Sequence, residues 1–107
     1  MKKYLYLFAM LLVCGCAEKG PPPEILAGEQ VFIKTCKVCH AQGINGAPIL
    51  GNSAMWAPRK DKGLDVLVQH ASEGFGLMPA KGGNPDLTQT EISHAVQFML
   101  SKLKEPK

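Results

Sequence analysis

The apolar positions of this chain fall into helical stripes separated by turn-rich stretches. Ile92, Ala95, Val96, Met99, Leu100 and Leu103 recur at three- and four-residue spacing, a broad stripe for a helix packed on one side. Thr88-Gln89-Thr90-Glu91 stands in front of it as a capping box, in which side chain and backbone of the two end residues satisfy each other. Leu64, Leu67, Val68 and Ala71 predict a middle helix over 64–72 with these four on one face, stopped by Gly74. Ile25, Val31, Phe32 and Thr35 predict a first helix from Glu24 to about Cys36. The stretches Gly43 to Gly51 and Gly74 to Asp86 are rich in Gly and Pro and read as loops. No run alternates as a strand would. The expected fold class is all-α, with 24–107 as a single domain.

The segment before that domain has a different character. Lys2 and Lys3 precede an apolar run from Tyr4 to Val13, too short for the ~20 residues that span a bilayer. It reads as an export signal. Val13-Cys14-Gly15-Cys16 resembles a bacterial lipobox, which makes 1–15 a lipoprotein signal peptide and Cys16 the acylated residue. Several acyl chains on Cys16 would anchor the product stably to a membrane. The alternatives are ordinary cleavage nearby with a soluble product, or an uncleaved anchor. Residues 16–23 end in Pro21-Pro22-Pro23, a semi-rigid spacer of polyproline II type. The expected location is the periplasmic side of the inner or outer membrane.

Chemistry concentrates in Cys36-Lys37-Val38-Cys39-His40. C-x-x-C-H is the attachment pattern of a covalent c-type haem. The two thiols add to the two vinyl groups of one porphyrin, and His40 follows as the proximal iron ligand. A redox disulfide would want a βαβ context, and a zinc site a second ligand pair; the flanking sequence offers neither. The expected cofactor is therefore one haem c. It also adds a large apolar body to a domain whose own core is small. The formal net charge is +3, falling to ten basic against nine acidic residues over 16–107. That is no footprint for nucleic acid, which needs a concentrated basic patch. A monomer is expected.

The sixth iron position decides what such a haem does. Met1 and Met10 leave with the signal, Met55 falls in an early loop, and Met99 sits within the last apolar stripe. Met78 lies in the second loop, before Pro79, which restricts it to extended conformations. It is the candidate axial ligand, completing a His/Met pair. His70 and His94 fall on predicted helices and are expected to face solvent.

From Gly28 to Met99 the sequence resembles the class I bacterial cytochromes c, most closely the cytochrome c-five type. The haem motif, Gly46-Ala47-Pro48, Trp56-Ala57-Pro58-Arg59, Lys62-Gly63-Leu64, Leu67-Val68-Gln69-His70-Ala71 and Met78-Pro79-Ala80-Lys81-Gly82-Gly83 carry the resemblance. Many members of the family have a further cysteine pair after the Gly-Gly. Here those places hold Asn84 and Leu87, leaving the loop after Met78 looser or braced by Pro85. The resemblance implies three to four helices around one haem. It implies that the Pro48 carbonyl accepts from His40 Nδ1–H, and that Trp56 and Arg59 lie by a haem propionate. A plain turn proline and a plain core tryptophan are the alternatives for Pro48 and Trp56. Gly28 and Phe32 would meet Phe98. Lys34, Lys37, Lys60 and Lys81 would frame the haem edge and steer an acidic partner, or be merely solvated.

The function expected is electron transfer in a periplasmic respiratory chain, with a reductase or dehydrogenase as donor and an oxidase or other terminal enzyme as acceptor. The chain would be a carrier rather than an enzyme. Two readings stand beside this one: a ligand binder or peroxidase with an open sixth site, and a fixed electron-entry subunit of a membrane complex.

Overall fold

The computed structural model describes residues 15–105. Residues 1–14, nearly all of the expected signal segment, lie outside the described residues, as do 106 and 107. Proline opens the first helix, α1 (Pro23–Val31), at its first position, where a missing N–H costs nothing and φ is already helical. A π turn follows (Phe32–Cys36), then α2 (Lys37–His40), α3 (Ser53–Lys60), α4 (Leu64–Glu73) and α5 (Gln89–Ser101). Short 3-10 turns occupy Ile44–Gly46 and Ala80–Gly83. Among the described residues the sole strand-like pairing is one bridge between Phe75 and Met78, so the fold is all-α as expected. No helix among the described residues is long and apolar enough to cross a membrane.

The first helix does not stop at Cys36. It passes through the π turn into α2, so the whole haem motif lies on helix. A π turn adds one residue to the helical path, about 100° of rotation at 3.6 residues per turn. At its first residue, Phe32 is buried against Phe98, ring centroids 5.4 Å apart. At its last residue and beyond it, Cys36 and His40 line a cleft that α5 also borders. Single insertions of this kind recur at functional sites.

α1 crosses α5 at Gly28, which is buried. A Cβ added there would overlap the His94 carbonyl and stand 2.9 Å from the Phe98 Cβ. Only glycine allows the two backbones to approach this closely. Ile92, Ala95, Val96, Phe98 and Met99 are buried on α5. Leu67, Val68 and Ala71 from α4 and Trp56 from α3 complete the core. Leu64, expected on the inner face, is instead exposed at the very start of α4, before the helix has turned onto the core.

The capping box forms: Glu91 N–H donates to Thr88 Oγ1 at 3.2 Å, and Thr88 N–H donates to Glu91 Oε2 at 2.8 Å. The backbone bond from Thr88, then its hydroxyl, holds the Glu91 carboxyl below its usual range. α3 was not expected. It buries Trp56 alone, so it shows no apolar period, and Pro58 inside it reads as a breaker. Its start is marked by Asn52, whose side chain accepts from Met55 N–H at 3.0 Å, the usual role of an N-cap. Met55 thus lies on a helix and not in a loop.

Gly28→Ala should destabilise the holoprotein by about 3 kcal/mol, since the obstacle is backbone and cannot rotate away. Thermal unfolding would read this as a fall of roughly 15 °C. Thr88→Ala should cost about 1 kcal/mol. Because the folded Glu91 carboxyl is depressed, its contribution is present above the unfolded value of about 4.3 and lost as pH falls through the folded one. The stability gap between native protein and Thr88→Ala should therefore narrow on acidification from pH 7 to about 3. A gap that widened would contradict this account.

Candidate functional site

Cys36 and His40 are four residues apart on one helical path, and therefore share a face. Both line a cleft with almost wholly apolar walls. Ile92, Ala95, Val96 and Met99 of α5 form one side of it, with Ala71 of α4, and Met78, Lys81, Gly82 and Leu87 come from the loop between α4 and α5. The expected proximal ligand, one expected thioether sulfur and the expected distal methionine thus meet at one cleft. Burial in it pushes the Cys36 thiol up to about 11, so the thiol stays neutral and the walls carry no charge there. Cys39 is half-buried and does not line the cleft.

His40 is held from two sides. Its Nδ1 lies 2.8 Å from the Pro48 carbonyl oxygen. A carbonyl has no hydrogen to give, so Nδ1 carries the proton and Nε2 keeps a lone pair. The Trp56 ring stacks on the imidazole, centroids 6.0 Å apart and 27° from parallel. His40 is 7% exposed, so nearly all of this occurs away from water. The chain between His40 and Pro48 is turned back by Leu50 N–H, which donates to the His40 carbonyl at 2.8 Å.

Trp56 and Arg59 each give an N–H to nearby backbone. The Trp56 indole N–H donates to the Ile49 carbonyl at 2.9 Å, and that is its sole donor. A guanidinium N–H of Arg59 donates to the Met55 carbonyl, leaving four of the five that arginine has. Neither residue lines the cleft. Trp56 is placed to pack on His40, with no N–H left for a propionate.

Met78 closes the far side. Phe75 N–H donates to the Met78 carbonyl at 3.0 Å and Met78 N–H to the Phe75 carbonyl at 2.9 Å, which locks a four-residue turn. Gly74 permits it: φ is +89°, and a Cβ there would stand 3.0 Å from Met78 O and Ala80 N. Met99 also lines the cleft, from inside α5. Met55 does not. His70 is half-buried rather than solvent-facing and stacks on Phe75 at 4.0 Å; His94 is half-buried on α5. Lys34, Lys37 and Lys60 are exposed. Lys81 differs: its ammonium donates to the carbonyls of Pro85 and Leu87 at 3.3 and 3.0 Å. A lysine binding the Pro85 and Leu87 carbonyls thus braces this loop. Sequence reasoning missed both this role and the π turn. The capped start of α3 carried a signal in Asn52.

The donor set and the walls suit one prosthetic group. Two thiols, an imidazole whose Nδ1 is committed to Pro48, a thioether lining the same cleft and apolar walls fit a covalently held haem. A family model described as cytochrome c oxidase, cbb3-type, subunit III matches residues 23–99. The chain is 42% identical over 85 residues to cytochrome c-555 of Chlorobaculum thiosulfatiphilum, covering 76% of this chain and 99% of that protein. It is 38% identical over 75 residues to cytochrome c5 of Azotobacter vinelandii, covering 68% and 90%. It is similar to a chain in the crystal structure of an electron transfer complex of nitrite reductase with cytochrome c, at TM-score 0.69 and 35% identity, covering 78% of this chain and 98% of that one. Motif, fold, cleft and relatives agree, and the chain belongs to the class I mono-haem cytochromes c, near the c5 type: an electron-transfer protein with one covalently attached haem c, and not an enzyme.

Proposed function

We propose that the chain is a monomeric, lipid-anchored carrier of single electrons on the periplasmic side of a membrane, its haem held by Cys36, Cys39, His40 and Met78. The observation that carries the ligand assignment is that His40 and Met78 line one apolar cleft while Pro48 commits His40 Nδ1. That bond leaves Nε2 to ligate and fixes the ring plane. When bound, the haem supplies a one-electron Fe(II)/Fe(III) couple. The protein's part is to hold both axial ligands in place and keep water out. A thioether ligand and apolar walls both favour the reduced state and raise the potential. Arg59 retains guanidinium N–H groups for a propionate, while Trp56 supports His40 through its ring.

Exchange with partners requires surface that binds weakly and briefly. Val38, between the two thiols, is 68% exposed, and Leu77, beside Met78, is 74% exposed. Such apolar side chains suit short-lived docking of a reductase or dehydrogenase as donor and a terminal enzyme as acceptor. The similar chain found in a complex with nitrite reductase supports a redox enzyme as the partner class. Cys16 is exposed and precedes the three prolines, which fits an acylated anchor held off the domain by a spacer.

The ferric holoprotein should show the weak far-red band of sulfur-to-iron charge transfer, and the ferrous form should not bind carbon monoxide at neutral pH. Met78→Ala should lose the band, gain carbon monoxide binding and have a lower reduction potential. Retention of the band in that variant would overturn Met78 as the ligand. Separately, Cys16→Ala should shift the protein from the membrane fraction to the soluble periplasmic fraction and abolish incorporation of labelled palmitate. An unchanged distribution would rule out the lipid anchor.

A further inference from the structure

The loop that carries Met78 runs from Gly74 to Leu87, and in this chain its far half is closed by a side chain. The Lys81 ammonium donates to Pro85 O at 3.3 Å and to Leu87 O at 3.0 Å, and the Lys81 carbonyl stays within the same turn, accepting from Asn84 N–H at 3.1 Å. Lys81 also lines the cleft beside Met78. Its backbone is left-handed, φ +56°, an unfavourable conformation for a residue with a side chain, which persists where the surroundings impose it. Lysine loses much rotamer freedom when its head is fixed, so a lysine bound at two carbonyls is under specific constraint rather than merely solvated.

The carbonyls it binds are well chosen. Leu87 lines the same cleft and packs on the core, and it adjoins Thr88, the cap of α5. Lys81 therefore ties the segment three residues past Met78 to the fixed start of α5. A second tie runs from Asn84 Nδ2 to Thr35 Oγ1 on the π turn at 3.4 Å. Beside these ties, residues 79–87 are joined to the core by backbone turns and by the packing of Leu87.

We propose that Lys81 is a positioning residue for the axial methionine: by binding the Pro85 and Leu87 carbonyls it holds the Met78 loop closed over the cleft. This rests on Met78 being the sixth ligand. An external ligand that competes with methionine reports how firmly the loop is shut, because displacement requires the loop to open.

The test is titration of the ferric holoprotein with imidazole, followed by loss of the far-red band. Lys81→Met keeps length and apolar bulk but removes the donors, and should lower the half-saturating imidazole concentration about fivefold, the scale of one lost hydrogen bond. Lys81→Arg restores donors and should lie within about twofold of native protein. Ile25→Ala, which removes a partly buried core side chain of α1 and touches none of these ties, should titrate like native protein. Native behaviour of Lys81→Met overturns the proposal. So does an equal shift in Lys81→Met and Ile25→Ala, which would mark a general loss of stability. If Lys81→Met does not accumulate with haem, Lys81→Gln is titrated in its place, and native behaviour there overturns the proposal equally. A far-red band that survives Met78→Ala refutes the ligand assignment itself, an outcome read from a different variant.

Discussion

The close crossing of α1 and α5 is the contact on which the rest of the molecule depends. Gly28 lets the two backbones meet where any side chain would strike the His94 carbonyl. The Phe32 and Phe98 rings then fix the crossing from the next turn. Everything functional hangs from this pair. α1 leads through the π turn to Cys36 and His40, and α5 supplies the wall they face. A small domain has little apolar surface to bury, so it cannot spend residues on a core and a cofactor pocket separately. Here the same face of α5 does both: Ile92, Val96 and Met99 belong to the core and to the cleft.

Much of this was legible in the sequence because it was local. The haem motif is a fixed spacing, the capping box is a four-residue pattern, and the α5 stripe repeats over several turns. Met78 stood out by position and by Pro79. What was not legible depended on tertiary placement. α3 buries one residue, so no periodicity announced it, and Met55 was taken for a loop residue on that account. The π turn leaves no mark in Phe32-Ile33-Lys34-Thr35-Cys36. Lys81 reads from sequence as one of four lysines that frame the haem edge or are merely solvated. Its role is set by where residues 85 and 87 come back in space. The Trp56 N–H is spent on the Ile49 carbonyl, a contact set by how residues 49 and 56 meet in space.

The two sides of the cleft are built by different means, and the difference follows from where the chain is. His40 sits on a continuous helix, so its backbone is already rigid, and one carbonyl and one stacked ring suffice to fix the imidazole. Met78 sits in a loop with no helix to stiffen it. Its position is assembled instead from a two-bond turn with Phe75, the tight passage at Gly74, the stack of Phe75 on His70, and the lysine tie further on. Lys62 adds a cation 5.0 Å from the outer face of Phe75. Each of these is worth little alone, and several are open to solvent. Electron transfer favours ligands that do not move between oxidation states, so both sides must be firm. The helix side is firm by construction. The loop side is firm only through the sum of its contacts, and it is there that a change in one exposed side chain can alter the ligand field without disturbing the fold.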